Sequence, residues 1–239
     1  MRVIVTRPLP QGDRTAAIVA SRGHQPVLMP LTEIHPVDPG PLAAEPDSYA
    51  MVVATSANAL VHAPPALTLA LRDIPFVGVG AATEHAALAC GFSGTESTSG
   101  NADDLARHII ADLPRGARIA YLCGRVRKPD LEKNLAEAGL EIDALETYDA
   151  VLVSYTTDFL REQFVTGTAQ AVLLYSRNAA QRLADLLKLV RVANVADFTS
   201  FFCLSKDVAA PLWEAGYPAV AVAAEPSEAA LLNLLETTR

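Results

Sequence analysis

Short apolar runs that stop at small polar residues and pass into helix-forming sequence follow one another along the whole chain. Their length and β-branched content are typical of buried strands, and the periodic segments between them are typical of helices. The alternation of the two predicts an α/β fold with parallel sheets. The predicted strands, in chain order, are 2–6, 26–30, the run from Tyr49, 76–79, 118–122, 140–145, the run from Ala171, 200–204 and 219–223.

One pattern of strand, loop and helix occurs twice, as Tyr49–Leu60 and as Ala171–Ala180. The Ser and Asn that follow each strand have the same separation in both copies (176 − 56 = 178 − 58 = 120). Further segments match at separations of 116, 125 and 126 residues, so one module of four units appears twice in tandem. Such loops lie at the carboxyl ends of parallel strands, where open α/β sheets bind ligands. The two copies therefore predict two ligand-binding edges.

A tandem repeat permits two assemblies: each half folds on itself, or the first unit of each half completes the sheet of the other. Both long irregular stretches follow the first unit of a half, and neither lies between the halves. Because domain boundaries belong in linkers, this favours the second assembly, with about five parallel strands in each domain. The predicted bounds are 1–34 plus 158–239 for a discontinuous domain, 45–144 for an inserted domain, and 35–44 and 145–157 for the interdomain linkers.

The composition narrows the class of function. A chain of 239 residues with 51% hydrophobic and 19% charged residues forms one large or two ordinary cored domains. Its formal net charge of −8 argues against nucleic acid or an anionic membrane as a partner, since both require clustered Lys and Arg. Three widely spaced cysteines favour a reducing cytoplasm over a disulfide framework or metal cluster. We expect neither a signal peptide nor a membrane span.

Motifs for nucleotides, metals and hydrolytic nucleophiles are weak or missing. Gly78-Val-Gly80 resembles the start of a dinucleotide fingerprint, but the third glycine is missing and a tight strand-to-helix turn is the better explanation. The sequence contains no Walker A lysine motif, no His-Glu-x-x-His pair and no Gly-x-Ser-x-Gly elbow. The five histidines lack metal-ligand spacing. A nucleotide-dependent enzyme is therefore disfavoured.

The repeated polar residues have two interpretations. Ser56 and Asn58, and Ser176 at the matching position, are suitable helix N-caps, which is the commonest use of these residue types. Their recurrence at the same strand-to-helix junction favours a role in ligand binding. Arg7 follows the first strand and could hold a carboxylate in bidentate fashion, or form a salt bridge to a nearby helix.

Two further positions suit an acidic ligand. Arg125, with Arg127 and Lys128, forms a basic loop after a predicted strand, although a solvated loop is an equal alternative. Tyr148 lies where a linker must pass, so its phenol could donate a hydrogen bond to a ligand or anchor the linker.

Taken together, the residues resemble the uroporphyrinogen-III synthase family over nearly the whole chain. No single motif is specific for the family, but the order and spacing of the motifs, together with the exchanged duplication, are specific for it. In the second half, the Tyr175–Asn178 and Ser205–Val208 loops depart from the family pattern. The pieces that carry the resemblance are Thr6-Arg7-Pro8 with Gln11, Thr55–Ala59, Val79-Gly80 with Thr83 and Gly91, Arg118–Leu122 with Gly124-Arg125, the positions Leu131, Leu135 and Gly139, and Tyr148.

The resemblance implies two flavodoxin-like α/β domains joined by a two-stranded linker ladder. It also implies that a monomeric, cofactor-free enzyme closes hydroxymethylbilane, a linear tetrapyrrole with eight carboxylates, to uroporphyrinogen III. Ring D is inverted and water is lost while the substrate lies in the interdomain cleft. Tyr148 is the expected catalytic donor. The expected substrate-binding residues are Arg7, Thr55, Ser56, Asn58, Gly80, Thr83, Ser99, Gly100, Arg125, Ser176, Arg177 and Ser205.

The alternative from a different class is a non-catalytic protein whose two domains clamp a small acidic ligand. Binding without turnover would favour that alternative.

Overall fold

Strands and helices alternate along the computed structural model, which describes residues 1–98, 102–166, 169–190 and 199–237. The strands are β1 (Arg2–Val5), β2 (Gln25–Leu28), β3 (Thr32–Pro36), β4 (Tyr49–Ala54), β5 (Phe76–Val79), β6 (Thr95–Thr98), β7 (Arg118–Gly124), β8 (Glu141–Leu152), β9 (Ala171–Leu174), β10 (Ser200–Cys203) and β11 (Val220–Val222). The helices are α1 (Gln11–Ser21), α2 (Ala57–Val61), α3 (Pro65–Leu71), α4 (Ala81–Ala89), α5 (Ala102–Asp112), α6 (Asp130–Glu137), α7 (Thr157–Arg161), α8 (Arg177–Val190), α9 (Lys206–Glu214) and α10 (Glu228–Thr237).

The strands form two sheets, with the orders β11-β10-β9-β1-β2 and β3-β8-β7-β4-β5-β6. The pairings among β1, β2 and β9–β11 are parallel, as are those among β4–β8. Strands β1 and β2, from the start of the chain, therefore complete a sheet made by the last three strands. This is the exchanged assembly, and the predicted α/β class with a discontinuous first domain is confirmed.

The chain divides into two compact units. One consists of Met1–Glu33 with Val151–Arg239, and the other of Ile34–Ala150. We call them the discontinuous unit and the inserted unit. The chain passes from one to the other within β3 and again within β8.

The sheet of the discontinuous unit is covered on both faces. Val172 and Phe201 point to one face and pack with helices α7, α8 and α9. Leu173 and Phe202 point to the opposite face and pack with α1 and α10. Covering on both faces explains why β9 is an unbroken apolar run whose four side chains are all buried.

The inserted unit is built in the same way. Val52 and Phe76 pack with helices α2, α3 and α4 on one face of the sheet. Val53 and Val77 pack with α5 and α6 on the other. Both sheets therefore have the layered arrangement in which ligands bind beyond the carboxyl ends of the strands.

Strand β8 extends past the predicted strand 140–145 and continues to Leu152. Its second part neighbours β3. The backbone N–H of Val37 donates to the carbonyl of Thr147 at 2.9 Å, and that of Val153 donates to Leu31 at 3.1 Å. The two partners run in opposite sequence order, so this pair of strands is antiparallel. Backbone hydrogen bonds thus form regular strands in linker segments whose sequence has little apolar periodicity.

Thr95–Thr98 forms the edge strand β6, four residues that the predicted strands do not include. Their polar side chains are half-buried or exposed, because an edge strand has a neighbour on one side alone. Parallel pairing with β5 supplies the order that the side-chain pattern does not indicate.

Polar side chains begin several helices. The hydroxyl of Ser56 accepts a hydrogen bond from the N–H of Asn58, and the hydroxyls of Ser176 and Ser205 do the same for Ala179 and Val208. Each cap satisfies one of the backbone donors that a helix start leaves without an intrahelical partner. Within the described ranges, no helix is both long and apolar enough to cross a bilayer.

Candidate functional site

The register of the inserted sheet aligns four strand ends. Ala54 pairs with Leu122 on one side and with Gly78 on the other. Ser56, Gly124 and Gly80 therefore lie two positions beyond one matched row. Tyr148 joins the same row, because it pairs with Gly124. Parallel strands thus bring together residues that are far apart in the sequence.

The Tyr148 ring lies directly over Gly124. A Cβ atom at Gly124 would come within 2.7 Å of Tyr148 Cζ and 2.9 Å of Oη. Gly124 is therefore required by this close approach. The ring of His62 lies 6.4 Å from that of Tyr148, and burial lowers the pKa of His62. No described residue forms a hydrogen bond with the Tyr148 hydroxyl, which leaves this donor available to a ligand.

Thr55 is held by a tyrosine from the neighbouring strand. Its hydroxyl lies 3.2 Å from the hydroxyl of Tyr121, which is 3% exposed. Burial raises the pKa of Tyr121, so its phenol stays protonated. Ser56 serves as the cap described above, while Asn58 lies in α2 and is half-buried. The capping role of Ser56 is thus satisfied within the protein.

The turn after β5 uses Gly80 and Thr83 in different ways. Gly80 has φ +77°, which favours glycine, and its N–H donates to the carbonyl of Thr98 at 3.0 Å. Thr83 is 3% exposed, and its methyl group lies 2.9 Å from the place where a Cβ of Gly78 would be. The methyl group of Thr83 therefore packs α4 against β5, while Gly80 gives the turn its shape.

The basic loop after β7 pairs with the protein's own carboxylates. Arg127 donates through Nε and Nη2 to both oxygens of Glu132, at 3.1 and 2.9 Å. Its Nη1 donates to Glu146 at 2.9 Å and to the carbonyl of Gly124 at 3.0 Å. The hydrogen bonds that Arg127 donates to Glu132, which has the larger effect, and to Glu146 raise the pKa of Arg127. Arg125 is 52% exposed and lies 3.3 Å from Glu146.

In the discontinuous unit, Arg7 follows β1 and lies beside Tyr175, which follows β9. The register pairs Val5 with Leu173, so the two residues are two positions beyond a matched pair. The guanidinium carbon lies 4.5 Å from the centroid of the Tyr175 ring, a cation–π contact. Nη1 of Arg7 lies 3.0 Å from Oε1 of Glu228, the first residue of α10. Arg7 thus forms the salt bridge that the sequence offered as an alternative to ligand binding.

The remaining candidates of this unit lie at the starts of α8 and α9. Ser176 and Ser205 cap these helices, and the register of β9 with β10 places them beside each other. Arg177 is 44% exposed and donates to Asp207 at 3.3 Å. These positions form one edge with Arg7 and Tyr175. Two other candidates, Ser99 and Gly100, lie outside the described residues.

The sequence prediction did not include several residues that shape these two edges. Tyr175 occupies the place of Thr55 in the repeat, so the repeat itself marked the position. Gly124 belongs to a segment that carries the family resemblance. Its contact with Tyr148 depends on the pairing of two strands, which the sequence pattern does not indicate. Thr15, Tyr121 and Glu228 carried no sequence signal, because their partners lie on other elements.

Comparisons with known proteins identify the family. The model of the uroporphyrinogen-III synthase HemD family matches residues 13–233. A uroporphyrinogen-III synthetase structure from Helicobacter pylori 26695 aligns with TM-score 0.68 at 19% identity, covering 100% of both chains. A mutant uroporphyrinogen III synthase structure from the extremely thermophilic bacterium Thermus thermophilus aligns with TM-score 0.64 at 20% identity, covering 99% of this chain and 96% of that one. At these identities the structures show the fold.

A sequence search of curated proteins finds no significant match. The family model nonetheless spans nearly the whole chain, including the tandem strand-to-helix junctions, the Gly124 turn and Tyr148. The chain therefore belongs to the uroporphyrinogen-III synthase family.

Proposed function

We propose that this chain closes hydroxymethylbilane to uroporphyrinogen III, with inversion of ring D and loss of water. The observation that carries this proposal is the family match over residues 13–233. The family consists of hydro-lyases, which agrees with a reaction that eliminates water from a linear precursor. The available phenol of Tyr148 gives the proposal a chemical basis at the end of the inserted sheet.

The substrate is a flexible chain with eight carboxylates, so binding must fix its conformation. Helix starts and strand ends present backbone N–H groups, which bind anions whatever side chain is present. We assign Arg7, Arg125 and Arg177 to carboxylate contacts, because each retains exposed area at the carboxyl end of a sheet. The remaining contacts are assigned to Thr55, Ser56, Asn58, Gly80, Ser99, Gly100, Ser176 and Ser205, whereas the buried Thr83 contributes by packing the turn that carries Gly80.

Tyr148 is assigned the chemical step. Departure of the hydroxyl group leaves an electron-poor azafulvene, and a phenol that donates a hydrogen bond to this oxygen assists its loss as water. Ring D then attacks through its substituted α-carbon to form a spiro-pyrrolenine, which fragments and closes as the inverted isomer. Because the bilane also closes by itself without inversion, a preference of about 100 to 1 needs roughly 2.7 kcal/mol of barrier difference, which positioning can supply.

We infer a cytoplasmic monomer that acts on this small molecule without nucleic acid or a membrane. Cys90, Cys123 and Cys203 are free thiols, as is usual in a reducing compartment. The formal net charge of −8 opposes binding to polyanions.

The test is a coupled assay in which hydroxymethylbilane is generated in place from porphobilinogen, with and without this protein. The oxidised porphyrins are then separated by isomer. We expect the share of type III porphyrin to rise in proportion to added protein. Type I porphyrin alone, from folded protein, would contradict the proposal and favour the alternative of a binding protein.

The role of Tyr148 has a separate test in the same assay. We expect Tyr148→Phe to slow turnover without abolishing it, because positioning still favours ring inversion when the donor is missing. A folded variant with unchanged turnover, or with none, would overturn the assignment.

A further inference from the structure

The guanidinium of Arg7 is held by contacts at one nitrogen and by a ring against its plane. Its Nη1 donates to Oε1 of Glu228 at 3.0 Å and lies 3.5 Å from the hydroxyl of Thr15. The plane of the guanidinium is supported by Tyr175, whose ring centroid is 4.5 Å from the guanidinium carbon. An arginine side chain loses rotamer entropy when it is immobilised. In this structure the protein's own contacts already hold the side chain in place before any ligand binds.

Glu228 is itself held by three donors that converge on one oxygen. Besides Arg7, the hydroxyls of Thr15 and Tyr175 donate to Oε1 at 2.6 and 3.1 Å. Burial opposes the charge of Glu228, but the bond from Thr15 and the positive charge of Arg7 outweigh it and lower its pKa. The carboxylate is thus a stable support for Arg7 rather than a mobile surface group.

The other edge of the Arg7 guanidinium is open. No described residue forms a hydrogen bond with Nε or Nη2, and 27% of the side chain is exposed. These two nitrogens lie side by side and present two parallel N–H groups, which is the geometry that binds a carboxylate in bidentate fashion. Arg127 offers no such edge, because its Nε and Nη2 already bind Glu132.

We propose that Thr15, Tyr175 and Glu228 are positioning residues that orient Arg7 so that its Nε–Nη2 edge binds one carboxylate of the substrate. The identity of the substrate rests on the proposed function, whereas the carboxylate site rests on the contacts of Arg7. Glu228 neutralises much of the charge of Arg7, so the site selects by bidentate geometry rather than by long-range attraction. A lysine at position 7 would not replace the arginine, because its single ammonium does not present two parallel N–H groups to a carboxylate.

The experiment measures equilibrium binding of uroporphyrin III, a stable compound with eight carboxylates, by fluorescence titration. We expect Arg7→Lys to weaken binding by about tenfold, since a charge-assisted bidentate pair is lost. Tyr175→Leu, which removes the supporting ring, should weaken binding by roughly threefold to tenfold. Tyr175→Phe keeps the ring and should weaken it less.

A double-mutant cycle separates positioning from a structural role. If Tyr175 acts through Arg7, Tyr175→Leu should have little further effect on affinity in the Arg7→Lys background. Additive losses would overturn the proposal. So would a loss of thermal stability in Tyr175→Leu with no change in uroporphyrin affinity. Should Tyr175→Leu fail to fold, Glu228→Gln takes its place in the cycle, because it keeps the shape of the side chain.

The matched control is Glu236→Gln. Glu236 also joins α10 to an arginine, since Arg22 Nη1 lies 3.3 Å from its Oε1, but that pair lies at the other end of the helix. We expect the control to leave uroporphyrin affinity unchanged, and equal losses in Glu236→Gln and Glu228→Gln would contradict the proposal. The isomer assay distinguishes the two failures: type III product with affinity independent of Arg7 overturns this inference and leaves the proposed function intact.

Discussion

Arg7 and Arg127 follow strands at corresponding edges of the two sheets, yet they differ in what they offer a ligand. Arg127 uses all three guanidinium nitrogens within the protein, on Glu132, Glu146 and the carbonyl of Gly124. Arg7 uses one nitrogen and keeps a bidentate edge open. An arginine after a strand therefore has no fixed role, because the role depends on how many of its donors the protein has already satisfied.

The difference assigns separate tasks to the two edges. The edge of the discontinuous unit offers a positioned cation. In the inserted unit, Arg127 instead ties the Gly124 turn to Glu132 and Glu146, and Gly124 makes room for the Tyr148 ring. The saturated arginine thus supports the turn beside the Tyr148 ring, whereas the open arginine keeps two N–H donors for the proposed carboxylate.

The largest expected effect comes from removing the saturated arginine. Arg127→Met leaves Glu132 without its partner and Glu146 with Arg125 alone, and it should lower the free energy of unfolding by about 2–3 kcal/mol in urea titrations. Arg7→Met breaks one ion pair and should cost about 1 kcal/mol. Lys128→Met, an exposed neighbour, is the control for a general effect of charge. Equal losses of unfolding free energy in the two arginine variants would mean that the number of satisfied donors does not set the contribution of each arginine to stability.

The Gly124 turn can be tested by adding one methyl group. In Gly124→Ala the new Cβ would lie 2.7 Å from Tyr148 Cζ, so the ring must move. We expect turnover in the isomer assay to fall by about tenfold, because small displacements of a catalytic group are costly. Gly94→Ala is matched to it, since a Cβ there meets only Pro75 Cα, at 3.9 Å. Equal turnover in the two variants would show that the position of Tyr148 does not matter.

At each edge a tyrosine contacts a candidate binding residue: Tyr175 contacts Arg7, and Tyr121 contacts Thr55. The contact in the inserted unit can be tested by its small effect on stability. Tyr121→Phe removes the hydroxyl that meets Thr55 and should reduce the free energy of unfolding by about 1 kcal/mol or less. Tyr217→Phe should have no effect, since no described residue bonds to that hydroxyl. If both variants melt like the unaltered protein, the contact between Tyr121 and Thr55 contributes nothing to stability.

The smallest expected effect is in the pH dependence of the Arg7 cluster. The pKa of Glu228 is lower in the folded state than its ordinary value of 4.5. Its contribution is therefore complete above about pH 4.5 and is lost as the pH falls through the lower folded-state pKa. Because the side chain is 36% exposed, we expect Glu228→Gln to cost roughly 0.5 kcal/mol at about pH 7, and this cost should shrink as the pH falls below about 4.5. A cost that does not change with pH would mean that charge plays no part in the cluster.

Much of the fold could be predicted because it depends on local patterns. Buried strands such as β9 appear as continuous apolar runs, since both faces of a parallel sheet are covered. Ser176 and Ser205 sit at strand-to-helix junctions where a hydroxyl caps the helix, so their positions could be predicted too. Strand β6 could not be predicted, because this edge strand consists of polar residues and its sequence therefore resembles that of a loop.

The sequence by itself determined the α/β class, the duplicated module, the exchange of units and the family, because these follow from apolar periodicity and from residues close together in the chain. Only the tertiary structure decided which candidates remain available to a ligand. Arg7 and Glu228 are 221 positions apart, and Thr55 and Tyr121 are 66 apart. Whether a donor is satisfied depends on strand register and helix packing, and no local pattern encodes either.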